Sequence, residues 1–139
     1  MIEYDIFIGA PRNAVWEFLT RHDHIQQWWG KGVSLHAKPD GELTEPWTDT
    51  EGRQHTTRGT VTAIEAGTRL QLNWIDDGWP GPTRVEFLLS SYNDGTNLYL
   101  CHSGWNIFED SMRQELVEQH RDGWRRLMDN FKNYCLKTR

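Results

Sequence analysis

The chain has 139 residues, 37% hydrophobic and 25% charged, proportions of a globular domain and not of a disordered, collagenous or coiled-coil chain. Its net charge of −5 opposes a phosphate backbone, so nucleic acid is excluded as a first reading. A mean hydropathy of −0.76, no run of about 18 apolar residues and no basic, greasy leader leave neither a membrane span nor a signal peptide to expect.

The length fits a single domain over residues 1–139. Two cysteines, Cys101 and Cys135, without a CxxC spacing, suit a reducing compartment, and a cytoplasmic location is the expectation. Tryptophan is the outlier, with 8 copies.

Ile2, Tyr4, Ile6 and Ile8 alternate with other residues at period two, which predicts a strand with one face in a core. Pro11 suits the first turn of a helix carrying Ala14, Val15, Phe18 and Leu19 on one stripe. Residues 22–29 predict a second short helix that stops at Gly30. From Val33 to Ser103 the period becomes two, and turn signals such as Pro39-Asp40-Gly41, Glu51-Gly52, Ala66-Gly67 and Asn93-Asp94-Gly95 cut the region into six strands. One face runs through Val33 and Leu35; Leu43, Glu45 and Trp47; His55, Thr57, Gly59, Val61 and Ala63; Leu70, Leu72 and Trp74; Val85, Phe87 and Leu89; Leu98, Leu100 and His102. Clean alternation with short connections predicts an antiparallel meander covered on one side. The cover is the last segment, where Leu116, His120, Trp124, Leu127, Phe131 and Tyr134 or Cys135 recur at helical spacing. With Ser111 and Gln114 as a capping box, this predicts a helix of about 26 residues.

Ala10-Pro11, Val15-Trp16, Leu19-Thr20, Ile25 to Trp28-Trp29, Gly59 with Val61, Arg69-Leu70 to Trp74, His102-Ser103-Gly104-Trp105 and Gly123-Trp124 with Leu127 occur in that element order. The chain thereby resembles the SRPBCC or START-like helix-grip superfamily and, within it, the family named for the activator of heat-shock protein 90 ATPase. The resemblance implies an α+β helix-grip domain. A curved antiparallel sheet of about seven strands wraps a long C-terminal helix, with two short helices after the first strand and an apolar cavity between sheet and helix. It also implies binding of lipids, polyketides or other hydrophobic molecules, and some relatives as cyclases or resistance proteins. The co-chaperone that names the family looks like a two-domain protein, whereas this chain has room only for its C-terminal type of domain. A chaperone partner therefore ranks last.

Face parity and the resemblance together select the candidate site. Leu43, Trp47, Gly59, Trp74, Phe87, Trp124 and Met128 are the expected cavity walls, with His55 and His102 as polar contacts. Glu45 and His102 are the candidate catalytic pair, since a carboxylate raised in pKa by an apolar cavity and a nearby imidazole can exchange a proton. The alternative has Pro46 break the strand's parity so that Glu45 faces water, while His102 satisfies a backbone carbonyl. Gly123 costs about 1 kcal/mol in a helix interior relative to alanine, which asks either for close approach of a strand or for space kept free for a ligand beside Trp124.

No metal or cofactor is expected. His22 and His24 fall on different helix faces, Cys101 and His102 on opposite strand faces, and no GxSxG, Walker, HExxH or GxGxxG motif occurs. Tyr99, Cys101 and Trp105 are expected on the outer sheet face, where apolar area fits a homodimer. The readings rank as binding of a hydrophobic, aromatic small molecule first, a cofactor-free cyclase or hydrolase second, and a co-chaperone module third.

Overall fold

A computed structural model describes residues 1–138. The chain runs β1 (Ile2–Ile8), α1 (Arg12–Thr20), α2 (His22–Trp28), β2 (Ser34–Leu35), β3 (Glu42–Thr48), β4 (Gln54–Glu65), β5 (Arg69–Asp76), β6 (Thr83–Tyr92), β7 (Gly95–Ser103), a 3-10 turn at Trp105–Ile107, and α3 (Asp110–Thr138). All pairings are antiparallel, in the order β1-β7-β6-β5-β4-β3-β2. This is the seven-stranded helix-grip α+β fold that the sequence predicts.

The inner face follows the alternation. Leu43, Leu70, Leu72, Val85, Phe87, Leu98 and Leu100 are at most 1% exposed. Fully burying a side chain of that kind stabilises the fold by about 1.5–3 kcal/mol. Cross-strand pairs Leu43↔Gly59, Glu45↔Thr57 and Trp47↔His55 keep the faces of β3 and β4 in step. Pro46 stays inside this ladder, opposite Thr56, so parity is not broken there. It breaks instead between Val61 and Ala63, where a bulge puts Ala63 opposite Gln71 and turns Ile64 toward the core in its place. At the β6–β7 turn Asn93 and Asp94 both take positive φ, 44° and 63°, the two-residue hairpin geometry whose twist matches the strands.

Helix α3 has 29 residues and is about 43 Å long, enough to traverse the sheet. It begins at Asp110, with the Glu109 carbonyl accepting the Arg113 N–H, so Ser111 lies within the first turn and does not cap it. Its buried stripe of Trp124, Met128, Phe131 and Cys135 sits at the C-terminal half. The N-terminal half meets a second aromatic group, in which His120 lies 5.3 Å from Trp79 and 5.1 Å from Trp105 between ring centroids. Trp105, expected on the outer sheet face, is buried in the 3-10 turn and donates Nε1–H to the His102 carbonyl. Tyr99 and Cys101 do lie partly exposed on that face.

Candidate functional site

A cavity of about 380 Å³ opens between the β3–β5 end of the sheet and the middle of α3. Period two brings Glu45 and Trp47 of β3, Thr57 of β4, and Trp74 and Asp76 of β5 to it. From α3 come His120, Gly123, Trp124 and Leu127, one face at spacings of three and four, with Gln119 and Arg126 flanking. Trp29, just after α2, completes the lining. Trp74 and Trp124 are 4% and 3% exposed and form the floor, whereas Trp47 at 38% stands at the mouth with the exposed Arg126. The rings adjoin one another: Trp74 lies 5.1 Å from Trp124 and 6.3 Å from Trp29, the latter pair nearly parallel at 16°.

Gly123 borders open space. A Cβ there would meet nothing within 4 Å, so close approach of a strand is not the reason for glycine at this point. Gly59 is the opposite case. It does not line the cavity, and a Cβ would come within 2.4 Å of the Asn73 carbonyl oxygen, so backbone proximity demands glycine.

The polar wall is ordered. Trp29 Nε1–H donates to Glu45 Oε2 at 2.7 Å. Trp47 Nε1–H donates to the Thr57 hydroxyl at 3.0 Å, and that hydroxyl in turn donates to Asp76 Oδ1. His120 Nδ1 sits 2.9 Å from the Leu116 carbonyl, which can only accept, so Nδ1 carries a proton and Nε2 faces Asp76 Oδ2 at 3.4 Å. Burial pushes the Glu45 carboxyl pKa up; the Trp29 hydrogen bond opposes that shift, and Asp76 adds to it.

His102 is not part of this wall. It is fully buried, and Trp124 Nε1–H donates to its Nδ1 at 3.0 Å, which leaves the proton on Nε2, 2.7 Å from the Thr83 hydroxyl. Thr83 passes its own proton to the Trp74 carbonyl at 2.9 Å. With both ring nitrogens occupied, and its pKa lowered to about 2 chiefly by desolvation, His102 is a neutral structural group. The expected Glu45–His102 pair is therefore not assembled: Glu45 faces Asp76 and His120 instead. Trp74 Nε1 is buried with no hydrogen-bond partner among the described residues.

Of the other expected residues, Trp47, Trp74 and Trp124 line the cavity. Leu43, Phe87 and Met128 do not, being packed in the core at 1%, 0% and 1% exposure. His55 points its Nε2 at Asp49 Oδ2, 2.8 Å away, and stacks on Trp47 at 4.5 Å from outside the cavity. Trp29, Asp76 and His120 were not among the expected site residues. Asp76 was accessible to the same reasoning, since Leu70, Leu72, Trp74 and Asp76 share one parity. No group of three or more His, Cys, Asp or Glu side chains suited to a metal ion occurs among the described residues. No helix there is long and apolar enough to cross a membrane.

The same architecture recurs in solved structures. DynU16, a protein in the dynemicin biosynthetic locus, matches with a TM-score of 0.79 at 22% identity over 99% of this chain, which spans 47% of the DynU16 chain. Protein MLL2253 from Mesorhizobium loti also gives 0.79, at 18% identity over 99% of this chain and 98% of the other. The Aha1 dimer from Colwellia psychrerythraea gives 0.71 at 19% identity, covering 95% and 92%. No curated protein sequence matches the chain. Residues 9–135 match the family described as activator of Hsp90 ATPase homolog 1-like protein, and the chain belongs to that family.

Proposed function

We propose that the cavity between the sheet and α3 binds a hydrophobic, aromatic small molecule. The observation that carries this reading is the cavity itself, four of whose lining residues are tryptophans. Flat indole faces offer large apolar area with few rotatable bonds, and about 380 Å³ falls in the range of small-molecule sites. Gly123 supports it further, because a costly mid-helix glycine that touches nothing keeps that volume open. The test is native mass spectrometry of protein purified from its own host, followed by solvent extraction. A retained aromatic compound, released when Gly123→Phe fills the cavity, is the expected result. A protein that binds no apolar probe at any concentration overturns the reading.

Acid–base catalysis on the bound molecule is the second reading, favoured by Glu45, Asp76 and His120 converging on one wall. His120 takes the part that His102 was expected to play. Its signature would be a bell-shaped pH–rate profile that loses one limb in Glu45→Gln and the other in His120→Gln.

A further inference from the structure

The polar groups of the cavity wall are unequally partnered. Asp76 accepts from the Thr57 hydroxyl on one oxygen and has His120 Nε2 3.4 Å from the other. Glu45 accepts one neutral hydrogen bond, from Trp29, and no cation pairs with it among the described residues. The side chains on the wall able to carry positive charge are His120, 3.4 Å from Asp76, and Arg126, exposed at the rim. A mostly buried carboxylate without a counter-ion is costly, and an ion pair completed there is correspondingly favourable. The surroundings are indole faces, whose quadrupole attracts cations in a desolvated site.

We propose that the ligand carries a basic nitrogen on its aromatic body, its ammonium seated beside Glu45 against the indoles of Trp29, Trp47, Trp74 and Trp124. This rests on the cavity being a binding site, as proposed above. The site then divides its work: the indoles hold the ring system, and Glu45 selects the charge. The ammonium pairs with Glu45 only in its ionised form, so affinity for the cation rises with pH until Glu45 is ionised in the free protein. The charged groups facing Glu45 across the cavity are Asp76 on β5 and His120 and Arg126 on α3, so a variant at Glu45 is needed to isolate its share.

Isothermal titration with 1-naphthylmethylamine, 1-naphthalenemethanol and 1-naphthylacetate compares three charges on one ring. The amine is expected to bind at least about tenfold more tightly than the alcohol, with the acetate weakest. Glu45→Gln keeps the shape and an acceptor for Trp29, and it should collapse the amine-to-alcohol ratio to within about threefold and abolish its rise with pH. If Glu45→Gln does not fold, the wild-type series decides alone. An alcohol that binds as tightly as the amine overturns the charge selection while leaving the cavity a binding site. If none of the three binds, both proposals fall.

Discussion

Replacing Gly123 by alanine should make the protein more stable, which is unusual for a change next to a binding cavity. Glycine in a helix interior is less favourable than alanine by about 0.8–1.0 kcal/mol, because its unfolded chain has more freedom to lose. That gain is usually offset where the new methyl meets a neighbour. Here a Cβ has nothing within 4 Å, and Gly123 is not among the residues with positive φ, so no offset arises. The expected gain is about 0.9 kcal/mol, read in urea as a higher midpoint at constant m, and as a rise of about 4 °C in Tm. Gly59→Ala is the matched control. Its Cβ would lie 2.4 Å from a carbonyl oxygen in the next strand, and a loss of about 1–3 kcal/mol is expected. A Gly123→Ala variant less stable than the parent would refute the reasoning, since something must then occupy the space beside the helix.

Other expectations follow from the buried polar groups. Because the folded pKa of Glu45 lies above its unfolded value, the carboxyl contributes stability below its ordinary range that is lost as pH rises through the raised value; Glu45→Gln should be the more stable protein at neutral pH and lose that advantage in acid, as unfolding at a series of pH values would record. His102 acts in the other direction, its pKa held down to about 2: stability is full above the unfolded value near 6.5 and falls as pH drops below it, by up to about 1.4 kcal/mol per unit, a slope that His102→Gln should remove. His102→Ala strands the Trp124 N–H and should cost about 1–3 kcal/mol or more, measurable as a lowered denaturation midpoint. Trp29→Phe removes the hydrogen bond that Trp29 gives Glu45 and should raise that carboxyl's pKa further, visible by carboxyl NMR titration.

Strand faces were legible in the sequence because a sheet covered on one side writes its burial as alternation. That is why Glu45, Trp47 and Trp74 could be placed on the inner face with no structure at hand. Parity states a face, however, and not a position along it. Leu43, Phe87 and Trp74 share the inner face, yet of the three only Trp74 borders the cavity, while Leu43 and Phe87 are packed in the core. The two histidines make the same point. His102 and His120 both lie at inward positions, but His102 belongs to β7, beyond β6 from the β3–β5 strands that line the cavity, and is enclosed there by Trp124 and Thr83. The bulge at Val61/Ala63 had no glycine or proline to announce it, and exchanging Ala63 for Ile64 depends on pairing with β5.

The line of hydrogen bonds from Trp124 through His102 and Thr83 to the Trp74 carbonyl has a direction: each proton points away from the helix, first onto β7 and then across β6 to β5. The greasy contacts around it would tolerate α3 sliding by a fraction of a turn, since dispersion has little preference for one register over the next. The polar line tolerates no such slide, because a shift of even an ångström or so breaks a bond and strands donors in an interior without water. It therefore works as an index pin between the long helix and the sheet. It starts at the Trp124 indole and ends on the Trp74 main chain, so it fixes where one floor tryptophan stands over the strand that carries the other.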